Sequence, residues 1–186
     1  MSILSRRGFM ACAGASGLVT AGCTNGIGNN DAQELDARVN ASRSYLLSNF
    51  PGTADLEAKA LGVLWMPVVT EAGFIVGGAF GEGALRIGGA TVDYYSAIQG
   101  SFGLQAGAQQ YAHALFFMTP GALNSFRTSD GFSVGGDLKY AVPEQGGNVS
   151  AETLTSLDPI IAVVYGQSGL ILGASLEGTK YTRIIP

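Results

Sequence analysis

Histidine and cysteine are scarce in this chain of 186 residues, which contains one histidine and two cysteines. One histidine excludes a multi-histidine metal site, and two cysteines exclude a cysteine-rich one. Charged residues make up only 13% of the sequence, whereas hydrophobic residues make up 47%. That apolar fraction is enough for one core of ordinary size and too high for a disordered chain. We therefore expect one folded domain without a metal.

The N-terminal segment has the layout of an export signal, with a basic start and a weakly apolar middle. Arg6 and Arg7, followed by Phe9, resemble the twin-arginine signal, although the general secretory route stays an alternative. The apolar stretch from 8 to 20 is shorter than the roughly 20 residues of a membrane-spanning helix. The segment therefore predicts export and no transmembrane anchor.

A short motif closes that segment. Residues 20–23 read Thr-Ala-Gly-Cys and resemble a bacterial lipobox, in which small residues precede a cysteine that is acylated and becomes the new N-terminus. A small buried thiol is the alternative for Cys23. We expect residues 1–22 to be a removed signal peptide and Cys23 to carry lipid, so that the mature chain has no internal disulfide.

Basic residues are few in the mature chain. Without residues 1–22 it has eight basic and fourteen acidic side chains, a formal charge of −6. Nucleic-acid binders normally carry a basic face, so nucleic acid is not expected as a partner. Strong electrostatic capture by anionic lipid is not expected either.

The next residues predict a tether and two helices. Residues 23–30 are polar and glycine-rich, as in a flexible tether. Asp31 and Glu34 predict an N-cap with a capping box, and apolar residues at helical spacing predict an amphipathic helix over 31–50. A short second helix opens at Thr53.

Glycine is abundant, with 28 residues, and it punctuates the rest of the chain. From Gly62 onward, short apolar or alternating segments predict strands, interrupted by one helix after Thr119 and Pro120. We expect an α+β domain over 31–186: N-terminal amphipathic helices followed by a curved, glycine-rich antiparallel sheet, barrel- or sandwich-like.

Residues 73–83, GFIVGGAFGEG, raise the question of a phosphate-binding loop. Glu82 stands where a Walker-type loop requires lysine, and the chain continues as a strand where a dinucleotide fold requires a helix. We interpret these glycines as bends in a strand, with Gly77 and Gly78 at positions closed to a β-carbon. No nucleotide or other cofactor is predicted.

Five separate motifs carry a family resemblance: AKALGVLWMPVVTEAGFIVGGAFGEGALR, YYSAIQGSFGLQAGAQ, ALFFMTPGALNSF, GFSVGGDL and PIIAVVYGQSGLILGASLEGTKYTRI. In this order and spacing they resemble the SYLF domain, also called the Ysc84-type domain, over about residues 35–185. The resemblance implies a non-enzymatic lipid-binding domain. Eukaryotic members bind phosphoinositides and some bind actin, while bacterial members are often exported lipoproteins.

This sequence departs from the family pattern where members often have lysine, because Val68 and Glu71 stand there instead. Phosphoinositide specificity is therefore not carried over, and an actin partner is not expected for an exported bacterial lipoprotein. The candidate lipid-contact residues are Arg38, Arg43 and Trp65. Core packing is the preferred interpretation of the tryptophan.

The sequence gives little support for an enzymatic function. The single histidine, His113, lies in a strand-like segment and is interpreted as structural. Ser168 lacks the second glycine of a nucleophile elbow. Glu82, Asp137 and Glu177 could pair for acid–base chemistry, but we favour hydrogen bonds to exposed backbone. No catalytic residue is assigned.

The sequence thus predicts a bacterial lipoprotein of the cell envelope, lipid-anchored and at the outer membrane facing the periplasm, whose SYLF-like domain binds membrane lipids. The alternative is a structural or scaffold lipoprotein that binds an envelope protein or the cell wall. A hydrolase is a remote third possibility.

Replacing the acylated cysteine tests the anchor. Cys23→Ser should move the protein from the membrane fraction to the soluble fraction, because several acyl chains give stable attachment at about 0.8 kcal/mol per buried methylene. Fractionation of the expressing cells measures this. A variant found wholly in the membrane fraction would contradict lipidation at Cys23.

Overall fold

The computed structural model describes residues 30–50, 52–135, 139–141, 158–166 and 176–186, with side chains undescribed at 74–76, 101–107 and 139–141. The predicted signal peptide, Cys23 and almost all of the tether lie outside the described residues.

Three helices form among the described residues: α1 Asp31–Asn49, α2 Gly52–Lys59 and α3 Pro120–Thr128. All three were predicted, and the Thr119 side chain caps α3 by accepting from the Ala122 backbone N–H at 3.3 Å. The predicted capping box of α1 is wrong. Asp31 is already the first helical residue, and the Glu34 N–H donates to the Asn30 carbonyl at 2.9 Å. No side chain caps this helix start.

Six strands form one sheet in the described part of the chain: β1 Gly62–Ile87, β2 Ala90–Phe117, β3 Phe132–Ser133, β4 Lys139–Ala141, β5 Ile160–Tyr165 and β6 Lys180–Ile184. The order is β3-β6-β2-β5-β4, and β1 pairs with β2. The pairs are antiparallel except β4 with β5, which is parallel. The sheet curls into a half-barrel, which confirms the α+β prediction.

The predicted division into many short strands is wrong for residues 62–117. β1 and β2 are continuous strands of 26 and 28 residues, joined by a two-residue turn at Gly88 and Gly89. Both turn glycines have positive φ, 59° and 83°, as a tight type I′-like hairpin requires. The other glycines of residues 62–117 lie within β1 and β2 and do not end these strands. β6 was not predicted at all. The predicted strand at 169–178 lies outside the described residues as far as 175, and its last three residues, 176–178, are not in a strand.

The β1–β2 ribbon must coil, because a straight strand of 26 residues would extend roughly 85 Å. The pairing register shifts at three places, between Met66 and Val69, between Gly73 and Ile75, and between Leu85 and Arg86. Such bulges bend a strand and increase its twist. The two halves of β2 pair with different strands, Tyr94–Ile98 with β6 and Ala112–Phe117 with β5.

Coiling brings the first residues of β1 across its last residues. A β-carbon on Gly81 would lie 2.7 Å from the Val68 carbonyl oxygen, and one on Gly83 would overlap with the Trp65 carbonyl oxygen. The bent-strand interpretation of 73–83 is therefore confirmed, but the clash falls elsewhere than expected. At exposed Gly78 the nearest atom would be 3.3 Å away.

A buried cluster lies on each face of the sheet. One buried cluster fills the concave face and includes Leu115, Phe117 and, from α3, Phe126. The other lies on the outer face under α1 and α2, where Val39, Leu46 and Leu56 are all fully buried. Alternate residues of β2 serve the two clusters, as the pleat of a strand dictates. The pairs Tyr94–Tyr95 and Phe116–Phe117 each contribute one ring to each side.

The crossing at Gly83 yields a stability prediction. Gly83→Ala should destabilise the domain by at least about 3 kcal/mol, because the methyl group collides with backbone that cannot move alone. Gly100→Ala is the matched control, since a β-carbon there meets nothing within 4 Å. Urea unfolding of both variants measures the effect. Equal stability of the two variants would contradict the crossing.

Candidate functional site

The concave face is filled by the protein's own side chains. Phe126 of α3 contacts four aromatic rings, those of Tyr95, Phe117, Phe132 and Tyr181, with ring centroids 4.6 to 6.1 Å apart. Phe126 itself is fully buried. A ligand chain could enter this part of the concave face only by displacing α3.

His113 lies inside the same face. It is fully buried, and its Nε2 shares a hydrogen bond of 2.8 Å with the Tyr181 hydroxyl. Burial lowers the pKa of His113 from 6.5 to about 3, so the ring is neutral at physiological pH. The hydrogen bond joins β2 to β6 across the interior, and the prediction of a structural histidine is confirmed.

A polar cluster centred on Asp36 holds α1 against the outer face of the sheet. Its carboxylate accepts hydrogen bonds from Thr91 at 2.7 Å and from the Tyr94 hydroxyl at 3.0 Å. Arg86 donates to Asn40 at 2.7 Å and lies 3.5 Å from Asp36. These contacts fix the first half of α1 on the β1–β2 hairpin.

The second half of α1 is fixed at two further points. Ser42 and the Tyr165 hydroxyl share a hydrogen bond of 2.9 Å, and Tyr45 stacks on the same tyrosine with centroids 6.3 Å apart. Burial raises the pKa of Tyr165 above its ordinary value, so its hydroxyl stays protonated. The Arg43 guanidinium donates two hydrogen bonds to the Glu57 carboxylate of α2, of 2.7 and 2.8 Å.

Beyond the helices, the outer face carries an exposed apolar pair. Phe80 of β1 and Ile98 of β2 are direct register partners and are 53% and 55% exposed. Lys180 of β6 is the register partner of Ile98 on the other side. We call these three residues the outer patch. Large side chains this exposed and this close together mark a surface that can contact an apolar partner.

The three predicted lipid-contact residues do not form one site. Trp65 has no exposed surface, which supports the core interpretation and corrects its inclusion as a surface contact. The Arg43 guanidinium is engaged by Glu57, and Arg38 is exposed on α1. Sequence reasoning missed the outer patch, because Phe80 and Ile98 become neighbours only through strand pairing.

Two of the three candidate acid–base residues are described, and they lie in different elements. Glu82 lies within β1, and Glu177 lies in the turn before β6, where its backbone carbonyl accepts from the Gln99 side chain at 2.8 Å. Asp137 and Ser168 lie outside the described residues. Within the described ranges no group of three potential ligands could hold a metal ion, and no helix is long and apolar enough to span a bilayer.

The geometry describes an α+β domain with a packed interior and an exposed apolar patch, a type of structure suited to binding at its surface. A protein-family model described as "Ysc84: Las17-binding protein actin regulator" matches residues 98–183, from the middle of β2 to β6. Over these residues the resemblance to the SYLF, or Ysc84-type, family is confirmed. A search among curated proteins found no match.

The buried histidine predicts a pH dependence of stability. The unfolded chain takes up a proton at His113 below about pH 6.5, whereas the folded chain does so only near pH 3. Stability is therefore full above pH 6.5 and falls as the pH falls, by about 2 kcal/mol between pH 7 and pH 5 from this residue. Urea unfolding at both values should show a loss that is about 2 kcal/mol smaller for His113→Gln. Equal losses would contradict the neutral buried ring.

Proposed function

We propose that this protein is a membrane-tethered, non-enzymatic lipid-binding lipoprotein, and that it contacts the bilayer through the outer patch. The observation that carries the proposal is the exposed cross-strand pair of Phe80 and Ile98 beside Lys180. Aromatic and branched side chains insert at the boundary of head groups and acyl chains, and a lysine beside them keeps its ammonium in the head-group layer.

The filled interior supports a surface mode of binding. Side chains from four strands, β1, β2, β5 and β6, and from α3 occupy the concave face around Phe126 and Tyr181. An acyl chain sequestered there would have to replace contacts that stabilise the fold. Binding at the outer patch would displace no such contacts, because its apolar atoms already face solvent.

The proposed anchor places the patch within reach of the membrane. Eight residues, 23–30, would link the acylated Cys23 to α1, and they extend at most about 28 Å. The first half of α1 rests on the sheet at Tyr94, and Ile98 lies four residues farther along β2, about 13 Å away. One bilayer can therefore hold the acyl chains and meet the patch.

The strength of such docking is modest. Burying the exposed halves of Phe80 and Ile98 stabilises the bound state by about 2–3 kcal/mol, a factor of roughly 30 to 150. Docking of that strength is reversible in a free domain. A tether raises the effective concentration of membrane to the millimolar range. Because 2–3 kcal/mol corresponds to a dissociation constant of roughly 6 to 35 mM, the anchored domain would dock for a part of the time and exchange rapidly.

The localisation proposed with this function is the periplasmic side of the outer membrane. Thr24 after the lipidated cysteine resembles the outer-membrane sorting pattern of a two-membrane cell. The competing proposal is a scaffold lipoprotein, in which the same patch would bind an envelope protein.

Vesicle binding tests the proposal. The processed chain, residues 23–186 with Cys23→Ser, should bind phosphatidylcholine vesicles in a sedimentation assay carried out at roughly 30 mM lipid, the range that 2–3 kcal/mol requires. Phe80→Ser/Ile98→Ser should bind at least about 10-fold more weakly, from the lost apolar burial.

The matched control is Tyr45→Ser/Leu61→Ser, which removes two side chains that are 48% and 41% exposed outside the patch. This control should bind like the wild type. Equal weakening of both double variants, or no vesicle binding by the wild type, would sink the lipid-docking proposal in favour of the scaffold alternative.

A further inference from the structure

Helix α3 is attached to the concave face mainly through one side chain. Phe126 is the one fully buried residue among its nine, and Ala122 and Leu123 are partly buried against the same cluster. By comparison, α1 buries three residues and α2 buries two. Segments with few buried contacts and an exposed backbone open at a lower free energy than the whole domain unfolds. Of the three helices, α3 is therefore the one that can leave the sheet most easily.

The rings around Phe126 belong to the sheet. Tyr95 and Phe117 lie on β2, Phe132 lies on β3 and Tyr181 lies on β6. Strand pairing of β2 with β6 and of β3 with β6 holds these four residues in place without any contribution from α3. If α3 moved away, the sheet would keep an aromatic pocket where the Phe126 ring had been.

An ion cluster fastens the C-terminal end of α3 beside this pocket. Asp93 of β2 lies 3.2 Å from Arg127 Nε and 3.4 Å from Arg183 Nε of β6. Arg183 also donates from Nη2 to the backbone carbonyl of Arg127 at 2.8 Å. We call these three residues the latch. Only Arg127 belongs to α3, so opening of the helix would break its contacts and leave the pair of Asp93 and Arg183 on the sheet.

The latch and the pocket share a neighbour. Tyr95 is the direct register partner of Arg183, and its ring centroid lies 4.6 Å from that of Phe126. Arg127 follows Phe126 in the sequence, so the residue that fills the pocket and the residue that joins the latch move together. Release of the latch would therefore loosen the one side chain that packs α3 into the interior.

We propose that α3 is a lid, which opens from the concave face while the sheet and α1 stay folded, and that the latch sets how often it opens. The closed lid fills the aromatic pocket with Phe126, and the open lid exposes the four rings. The inference is independent of the proposed membrane function, because the lid covers the concave face and the outer patch lies on the opposite face.

Native-state amide hydrogen exchange, followed by NMR on the processed chain with Cys23→Ser, tests the lid. Relative to their intrinsic rates, the amides of residues 123–128 should exchange at least about 10-fold faster than those of residues 114–116. Low concentrations of urea should accelerate residues 123–128 little, because opening exposes a small surface. Equal, urea-dependent exchange of both segments would show that α3 opens only with the whole domain, and would overturn the proposal.

Two matched variants test the latch. Asp93→Asn should raise the exchange of residues 123–128 about 5-fold, because the closed state loses its ion pair with Arg127 and brings two guanidinium groups together without a carboxylate. Asp36→Asn also removes a carboxylate that joins separate elements, but its contacts are the same whether the lid is closed or open. It should leave the exchange of residues 123–128 unchanged. No acceleration by Asp93→Asn, or equal acceleration by both variants, would overturn the latch.

Thermal unfolding checks that each variant is folded. If Asp93→Asn does not fold, Arg127→Gln replaces it, because that change removes the contribution of α3 to the latch and keeps the sheet residues. Arg43→Gln is then the control, since it breaks the ion pair of α1 with Glu57. Arg127→Gln should accelerate residues 123–128 and Arg43→Gln should not. An equal effect of these two variants would contradict a local latch.

Discussion

The close approach of β1 to itself is the constraint on which the rest of the structure depends. Gly81 and Gly83 meet the backbone of Val68 and Trp65, at separations that leave no room for a β-carbon. Because of this crossing, a ribbon of two strands, each more than 25 residues long, closes into a half-barrel and encloses a core. Trp65 and Met66 at this crossing are both fully buried, Trp65 in the outer cluster under the helices and Met66 in the concave cluster.

Closure decides which surfaces are available for binding. The inward face is occupied by aromatic rings and by the hydrogen bond between His113 and Tyr181. The outward face is covered by α1 and α2 as far as the Asp36 cluster, and beyond it Phe80 and Ile98 remain open. The surface that the fold leaves open is therefore the outer one, and its exposed side chains include the apolar pair and Lys180.

Local features of the fold could be predicted from the sequence. The period of Leu35, Val39 and Leu46 is that of one helix face, and Thr119 caps α3 through a contact three residues away. Non-local features could not. Gly83 meets Trp65 eighteen positions away, and nothing in either local pattern reports that contact. β6 was not predicted because its five residues show little alternation of apolar and polar side chains. Pairing with β2 and β3 gives this segment its strand conformation.

The candidate sites show the same limit. The exposed pair of Phe80 and Ile98 depends on the register between β1 and β2. The sequence pattern favoured Arg38 and Arg43 instead, because both lie in the helix that the apolar spacing predicts. Pairing between distant segments decides where the functional side chains lie.

The central claim is that the outer patch touches the bilayer, and a depth measurement tests it most directly. The processed chain with Cys23→Ser has no cysteine of its own, so Ile98→Cys can carry a single environment-sensitive fluorophore, with Tyr45→Cys as the reference. The account predicts that vesicles shift the emission at position 98 to the blue and that lipids brominated in their acyl chains quench it, with little change at position 45. Quenching at position 45 with none at position 98 would contradict the account.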